Sequence, residues 1–315
     1  MTVAVLGEAL VDLIATDEGA FHAHLGGSPY NVAIALARQG ESVHYLSPLS
    51  DDGFGDQLYA ALTAEGVTLP LERRSTWPTS LALVKIDSLG QANYRLYREG
   101  VADKDIELDE LLALLPDNLS LFHTGSLAIT PSQLPKIRGL FQNLRDKGIP
   151  ISIDLNIRLK GSIDRERYLS GVRSLLPLVD IVKASDEDLA AFELGADANS
   201  VAEWFYGEMS GGLLILTRGA EGASLLSSTG WTHASGQVAH NPGDTVGAGD
   251  TFHAAFLSQL LSCAQSSDKF LMLNIEQQKT ALQFAGIAAA INVGRMGCCP
   301  PYRAEVIEQL EQQTP

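Results

Sequence analysis

The stretch DTVGAGD, residues 244–250, has two glycines, Gly247 and Gly249, just before an aspartate, Asp250. Directly after it, apolar residues recur between Phe252 and Leu261 at the spacing of a buried helix face. The pattern predicts a glycine-rich loop entering a helix, with Asp250 in the first turn. Free backbone N–H groups and the positive end of the helix dipole make such an entrance suitable for a phosphate or another oxyanion. An acidic residue beside an anion site indicates a base that removes a proton from the attacking group.

The same residues also occur in purely structural roles and in other nucleotide-binding motifs. Asp in the first turn of a helix is ordinary capping chemistry, and glycines are common in loops. The stretch is not a Walker loop, because no Lys follows the glycines, and it lacks the third glycine of a dinucleotide fingerprint. A Rossmann oxidoreductase is therefore disfavoured. The remaining choice depends on the rest of the chain.

The amino-acid composition restricts the binding partners and the cellular compartment that we expect for this protein. The chain has 315 residues, of which 22 are Lys or Arg and 38 are Asp or Glu, so its net charge is 22 − 38 = −16. This charge argues against nucleic acid and anionic membrane as partners, and a phosphate would need local neutralisation by backbone dipoles, a few cations and Mg²⁺. Three cysteines cannot form a disulfide framework, and no apolar run reaches membrane-spanning length. We therefore expect a cytoplasmic protein.

Strands and helices alternate over most of the chain, which predicts a mostly parallel sheet covered by helices on both faces. Ligands bind beyond the carboxyl ends of such strands. The polar residues just past predicted strands, which could meet over one crevice, are Asp12, Asn156, Arg158, Lys183 and Thr217. A hairpin with strands at 81–86 and 92–96 interrupts the alternation and is expected to lie outside the main sheet. The final helix is predicted at 276–291.

A second glycine motif, GGSPYN at residues 26–31, begins a predicted helix. Ser28 is expected to be the N-cap and Pro29 the first helical residue. Asn31 then lies in the first turn, where its side chain either projects into a cleft or is simply tolerated near a cap.

These motifs, in this order, resemble the PfkB (ribokinase-like) family of carbohydrate kinases over nearly the whole chain. The matches are residues 26–31 and residues 244–252, and the alternating pattern lies between them. Within the family, the stretch DLNIR at 154–158 and the hairpin sequence YRLYR at 94–98 look most like those of fructokinases. The resemblance implies one ribokinase-like kinase domain over residues 1–315, with a central mostly parallel sheet and a small β-hairpin lid formed roughly by 12–24 and 76–100.

The resemblance also implies ATP-dependent phosphorylation of a sugar hydroxyl, most like fructose giving fructose 6-phosphate. Asp250 would be the base, and the backbone N–H groups of Gly247, Ala248 and Gly249 would form the anion hole. The positions that match sugar contacts are Asp12, Gly27, Asn31, Tyr97, Arg98 and Arg158. Those that match the nucleotide pocket are Lys183, Thr217, Gly219, Gly222, Ala285, Gly286 and Ile291. A monovalent-cation (K⁺) site would involve Asp244, Val246, Asn292 and Gly297.

One motif departs from the family. Relatives commonly have Asn-x-x-Glu after the strand that ends near Lys183, where the motif is tied to the water shell of Mg²⁺. Here the place reads SDED, residues 185–188, so Asp188 supplies the carboxylate on a shorter stem. Because Mg²⁺ usually keeps several waters, a shortened outer ligand can be tolerated.

The sequence leaves two alternative functions open. The acceptor could be another small sugar, such as 2-keto-3-deoxygluconate, ribose or a riboside, because residue types do not decide the substrate. A non-catalytic sugar or nucleotide sensor is less favoured, since a sensor has no need of a base at Asp250. The exposed hairpin could also pair with that of a second subunit and so form a homodimer.

Overall fold

The computed structural model describes residues 1–16, 19–86, 92–159, 164–195, 197–237, 239, 243–264 and 271–313. The strands are β1 (Thr2–Val5), β2 (Leu10–Ala15), β3 (Phe21–Gly26), β4 (Ser42–Tyr45), β5 (Ser80–Ile86), β6 (Ala92–Tyr97), β7 (Leu119–Gly125), β8 (Ile151–Asp154), β9 (Ile181–Ser185), β10 (Leu213–Thr217), β11 (Gly222–Ser227) and β12 (Gly230–Ser235). The α-helices are α1 (Ser28–Arg38), α2 (Gly53–Ala64), α3 (Leu108–Ala113), α4 (Leu134–Asp146), α5 (Arg165–Arg173), α6 (Asp186–Ala190), α7 (Ala198–Glu208), α8 (Ala248–Ala264), α9 (Ile275–Val293) and α10 (Arg303–Gln313).

Eight strands form one large sheet in the order β12-β11-β10-β9-β8-β7-β1-β4. Neighbouring strands are parallel along this sheet from β4 to β10, that is, in β4, β1, β7, β8, β9 and β10. At the other edge, β11 and β12 add an antiparallel hairpin. The prediction of a mostly parallel sheet is therefore correct. Because the parallel strands point the same way, the residues that follow them meet at one edge of the sheet, where ligands bind in such folds.

Helices cover both faces of the large sheet and create two separate cores. Along β1, Val3 and Val5 pack in one core, while Ala4 and the following Leu6 pack in the other. This alternation follows from the period of two residues in a strand. The first core includes residues of α1, α8 and α9, and the second includes residues of α4, α5 and α7. The result is the three-layer arrangement expected for a sheet buried on both sides.

The remaining four strands form a second, smaller sheet in the order β3-β2-β5-β6. The predicted hairpin, β5 and β6, therefore does lie outside the main sheet, next to β2 and β3. Its predicted turn at 88–90 lies outside the described residues. One face of the small sheet packs Leu10, Ala82 and Leu96 against Leu127, which follows β7.

Some element boundaries differ from the predictions. The sequence pattern at 131–147 predicts one helix, but α4 begins only at Leu134. The pattern at 186–193 predicts another, which in the structure is the short α6. The helix predicted to be the last, α9, is followed by α10, which the sequence reasoning missed. Within the part of the chain that the structure describes, no helix combines the length and the apolar character needed to cross a membrane.

Candidate active site

The carboxylate of Asp250 lies where the two glycine motifs meet. Asp250 is in the first turn of α8, as predicted, and is only 7% exposed. Its Oδ1 accepts a hydrogen bond of 2.6 Å from the Ser28 hydroxyl, and its Oδ2 accepts one of 2.8 Å from the Asn31 side-chain amide. Two segments more than 200 residues apart in the sequence thus hold one carboxylate in a fixed orientation.

The prediction that Ser28 caps α1 is wrong. Gly27 is the N-cap, with φ 111°, and the Ser28 side chain turns to Asp250 instead. A Cβ at Gly27 would lie 3.0 Å from the carbonyl carbon of Glu8 and closer still to its oxygen. Glycine is therefore required by both the positive φ and the close approach of the chain after β1. This close approach brings Ser28 and Asn31 within reach of Asp250.

The loop before Asp250 presents backbone donors. Gly247 has φ 71°, and its carbonyl accepts from the N–H of Thr251 at 2.8 Å. Among the described residues, none accepts a hydrogen bond from the N–H of Gly247 or Gly249. The N–H of Ala248, also expected in the anion hole, instead donates to the carbonyl of Thr245 at 3.2 Å. Two of the three expected donors are thus free at the positive end of a 17-residue helix.

A buried ion pair lies directly beneath this loop. Lys183 of β9 contacts both carboxylate oxygens of Asp154, which is its register partner on β8, at 2.8 and 3.1 Å. Burial acts to lower the pKa of Lys183, but the charges of Asp154, Asp188 and Asp250 outweigh it and raise that pKa. A Cβ at Gly249 would lie 3.0 Å from the Lys183 Nζ. The ammonium is therefore packed against the anion-hole loop.

Asp12 lies beside the first glycine motif. A Cβ at Gly26, the neighbour of Gly27, would lie 3.0 Å from the Asp12 carboxylate. Burial raises the pKa of Asp12 to about 6, against the opposing charges of His24 and Arg158. Arg158 itself is exposed, and the side-chain carboxylate of Asp12 makes no hydrogen bond to another described residue. The half-buried Asp12 and the exposed Arg158 are thus both accessible to a ligand.

The two hairpin residues expected to contact a sugar lie elsewhere. Tyr97 shares a sheet face with Leu81 and Val11, whereas Asp12 points to the opposite face. Arg98 is buried, with its guanidinium bound by both oxygens of Asp103 at 2.7 and 3.2 Å. Its positive charge is therefore engaged within the protein. Neither side chain joins the cluster around Asp250.

Glu8, which follows β1, is a buried carboxyl that sequence reasoning did not single out. Its Oε1 accepts from the backbone N–H of Ser28 at 3.3 Å, and it is 1% exposed. Burial raises the pKa of Glu8 to about 7, against the opposing charge of Arg98. Glu8 therefore supports the turn that carries Ser28 and Asn31.

The residues expected in the nucleotide pocket differ in their accessibility. Thr217 ends β10, Gly219 lies in the turn after it, and Gly222, with φ 107°, begins β11. On α9, Gly286 and Ile291 are half-buried, and a Cβ at Gly286 would lie 3.4 Å from Gln237. Ala285 is fully buried in the core and is not accessible to a nucleotide.

Asp188 has a structural contact at each oxygen. Its Oδ2 accepts from the N–H of Ser185 in a capping box, and its Oδ1 accepts from the N–H of Ile157 at 2.6 Å. No group of three or more His, Cys, Asp or Glu among the described residues is arranged to hold a metal ion. The arrangement at Asp188 fits a carboxylate that orients bound water rather than a direct metal ligand.

Three of the four residues expected to bind a monovalent cation are joined by hydrogen bonds. The Asp244 Oδ1 accepts from the Val246 N–H, and the Val246 carbonyl accepts from the Asn292 side-chain amide, both at 2.8 Å. Gly297 has φ 66° and no neighbour within 4 Å of an added Cβ.

Three contacts at the site were missed by sequence reasoning. The Ser28 hydroxyl was assigned to capping, and Cys298, whose side chain packs against Gly247, was considered only as one of the three cysteines that cannot form a disulfide framework. Asp154 had a detectable signal, because a Lys in the middle of a buried strand needs a neighbouring carboxylate. The contacts of Ser28 and Cys298 join segments far apart in the chain, and no local sequence pattern predicts them.

The family described as pfkB family carbohydrate kinase matches residues 1–305 of the chain. The fructokinase of Rhizobium leguminosarum bv. trifolii is 34% identical over 259 residues, which cover 81% of this chain and 78% of that protein. The structure of fructokinase with bound ATP from Xylella fastidiosa has a TM-score of 0.85 at 29% identity and covers 100% of this chain and 99% of its own. The fructokinase from Vibrio cholerae O395, in fructose, ADP and calcium ion bound form, has a TM-score of 0.81 at 25% identity, with 98% of both chains covered. The predicted ribokinase-like fold is confirmed.

Proposed function

Because the chain belongs to the PfkB family of carbohydrate kinases, we propose that it transfers the terminal phosphoryl group of ATP to D-fructose, giving D-fructose 6-phosphate and ADP. The observation that carries this proposal is the carboxylate of Asp250, held by Ser28 and Asn31 beside two free backbone N–H groups. The similarity to fructokinases over nearly the whole chain supports fructose as the acceptor. Another sugar acceptor and a non-catalytic sensor are less favoured.

The chemistry follows from the positions of the groups. The sugar hydroxyl attacks the terminal phosphorus of ATP, and its proton passes to Asp250. Each carboxylate oxygen of Asp250 accepts one protein hydrogen bond and retains lone-pair capacity for the sugar hydroxyl. The N–H groups of Gly247 and Gly249 then stabilise charge that develops on the transferred group. Positioning and electrostatic stabilisation supply most of the catalysis in this kind of reaction.

Asp12, Gly27, Asn31 and Arg158 are proposed to bind the sugar. The Asp12 carboxylate has no hydrogen-bonding partner among the described residues, so a sugar hydroxyl would supply one. Polar groups that stay unpaired without substrate discriminate strongly in favour of a ligand that pairs them. The small sheet that carries Asp12 is proposed to close over the bound sugar and exclude water.

Thr217, Gly219, Gly222, Gly286 and Ile291 are proposed to line the nucleotide pocket, with Lys183 nearby beneath the loop. Mg²⁺ bound with the nucleotide would neutralise phosphate charge. The carboxylate of Asp188, whose two oxygens each accept one backbone hydrogen bond and keep further lone-pair capacity, is proposed to orient its water shell. ATP chemistry and the free thiols of Cys298 and Cys299 both fit a cytoplasmic location.

We also propose a homodimer formed through the small sheet. Tyr97 and Phe21 lie on the same outer face of this sheet and are 57% and 50% exposed. A second copy would cover this apolar face and the unpaired edge strands. Sedimentation at micromolar concentration should give twice the chain mass, and Tyr97→Lys should shift it to a monomer. A monomeric mass for the unaltered protein would count against the dimer.

The experiment that tests the function is release of ADP with Mg-ATP against a panel of acceptors. The panel contains fructose, other ketoses, ribose, 2-keto-3-deoxygluconate and ribosides, with a no-sugar control for ATP hydrolysis. The highest kcat/KM is expected with fructose, with the phosphate on O6 of the product. A clear preference for another member would keep the reaction type and overturn fructose as the substrate.

A further inference from the structure

His24 lies directly opposite Asp12 on the small sheet. The two residues are register partners in the antiparallel pair of β2 and β3. Residues that face each other in such a pair share one face of the sheet and have Cβ atoms about 4.5–5.5 Å apart. Burial raises the pKa of Asp12 to about 6, and the charge of His24 opposes this rise. An imidazole therefore adjoins the carboxylate that is proposed to bind the sugar.

The face that carries His24 and Asp12 is turned toward the body of the protein. The row of residues that crosses the sheet through these two continues to Ala82 on β5 and Leu96 on β6. Ala82 and Leu96 pack with Leu127, which follows β7 of the large sheet. Because β7 ends at the edge of the large sheet where ligands bind, this row faces the crevice.

The same face of β3 leads from His24 to the residues that hold Asp250. Gly26 follows His24 by two residues, about 7 Å along the strand, and points to the same face. A Cβ at Gly26 would lie 3.0 Å from the Asp12 carboxylate, which confirms this direction. Ser28, two residues further on, donates to Asp250. Gly26 therefore places no side chain between His24 and the residues that hold Asp250.

The His24 side chain is available to a ligand. It is exposed, and its imidazole makes no hydrogen bond to another described residue. A neutral imidazole has one donor and one acceptor nitrogen, so it can pair with a hydroxyl in either direction, whereas an ionised carboxylate can only accept. Side by side, His24 and Asp12 offer complementary groups to two hydroxyls on adjacent carbons of a sugar.

We propose that His24 is a specificity-determining residue that hydrogen-bonds the acceptor sugar, at the hydroxyl next to the one bound by Asp12. This inference rests on the proposed function of the same site. It makes the protein select sugars that carry two neighbouring hydroxyls at this place. His24 would contact the sugar away from the hydroxyl that loses its proton to Asp250. It therefore acts on sugar binding and leaves the chemical step unchanged.

The first test compares His24→Ala with His22→Ala, using fructose as the acceptor. His22 is an exposed residue on the same strand and face, but its register partner is Ile14, so it is the matched control. Loss of one hydrogen bond to a neutral hydroxyl should raise KM about 3–10-fold in His24→Ala and keep kcat within about twofold. His24→Gln, which keeps a donor and an acceptor, should recover part of the affinity. Equal KM values for His24→Ala and His22→Ala would overturn the proposal.

Fructose analogues that each lack one hydroxyl locate the contact. The series is 1-deoxy-, 3-deoxy- and 4-deoxy-D-fructose together with 2,5-anhydro-D-mannitol, which lacks the anomeric hydroxyl. The analogue without the hydroxyl bound by His24 should have the same KM with His24→Ala as with the unaltered protein. The analogue without the adjacent hydroxyl should instead be insensitive to Asp12→Asn. A rise in KM by one factor for every analogue with His24→Ala would indicate a general disturbance of the small sheet and refute the contact.

Calorimetry without ATP separates this inference from the proposed function. The Kd for fructose should rise about 3–10-fold in His24→Ala and stay unchanged in His22→Ala. Binding that weakens in this way, in a protein that phosphorylates no sugar, would count against the proposed function alone. Phosphorylation of fructose with unaltered KM and Kd in His24→Ala would count against this inference alone. A different preferred acceptor would take the place of fructose in the comparison of His24→Ala with His22→Ala.

Discussion

Replacing Gly247 by Ala tests how tightly the anion-hole loop is held. Gly247 has φ 71°, and an added Cβ would lie 2.7 Å from the Cβ of Cys298 and closer still to its Sγ. A non-glycine residue in this backbone region costs about 1–3 kcal/mol. Overpacking against a neighbouring side chain costs a further 1–3 kcal/mol or so. The loop should relieve this combined cost of about 2–6 kcal/mol by shifting, and the Gly247 N–H would shift with it.

The expected result is a fall in kcat of about 10²–10³-fold, because one donor to the transferred phosphoryl group is misplaced. Fructose-dependent ADP release gives kcat, and thermal melting gives the loss of stability. Gly207→Ala is the matched control, since Gly207 is exposed in α7 and an added Cβ there has no neighbour within 4 Å. That control should keep its kcat and melt slightly higher, because Ala favours a helix over Gly.

A double variant separates the two causes. Cys298→Gly in the Gly247→Ala background removes the side chain that the new Cβ meets, but leaves the unfavourable φ of residue 247. It should recover part of the lost stability and part of the activity. Gly247→Ala with unaltered kcat and melting temperature would refute both the close contact with Cys298 and the role of the loop.

Two further predictions concern buried charge. The pKa of Glu8 is raised by burial from 4.5 to about 7, so the folded protein binds more protons than the unfolded chain between these values. The contribution of this carboxyl to the free energy of unfolding is complete below pH 4.5 and should fall by about 3 kcal/mol as the pH rises through the folded pKa. Urea unfolding at pH 5 and pH 8 should show that the free energy of unfolding falls less for Glu8→Gln than for the unaltered protein. Equal falls in the two proteins would contradict this. Lys183→Met should destabilise by about 3–5 kcal/mol, since it leaves Asp154 buried without its partner, while Lys147→Met on the surface should change little. Combining Asp154→Leu with Lys183→Met should recover much of the lost stability. A Lys183→Met variant as stable as Lys147→Met would contradict the pairing of Lys183 with Asp154.

The fold could be predicted from the sequence because its signals are local and repeated. Alternating apolar strands and helices require a parallel sheet with helices on both faces, and the hairpin at 81–96 stood out as an interruption. The C-terminal helix α10 was missed because it follows the stretch that was expected to end the fold. Its sequence has few apolar residues, so only packing of side chains such as Val306 identifies it.

The site was predictable where one short motif carries several functions. Asp250 and the glycines are adjacent in sequence, so helix-entrance chemistry placed them together. Ser28 was misassigned because a Ser before Pro has the local pattern of a cap, whereas its actual partner is 222 residues away. Arg98 and Ala285 were misassigned for the same reason. Arg98 pairs with Asp103 and Ala285 packs in the core, so neither side chain reaches the crevice, and neither contact follows from the local sequence.

The role of Asp250 as the base for a sugar hydroxyl is the central claim, and fructose-dependent ADP release by the unaltered protein and Asp250→Asn tests it most directly. Asparagine keeps the size and can still accept from Ser28, but it cannot take the proton. We expect kcat to fall by about 10²–10⁴-fold while ATP binding, measured by calorimetry, is retained. Turnover by Asp250→Asn close to that of the unaltered protein would contradict the mechanism.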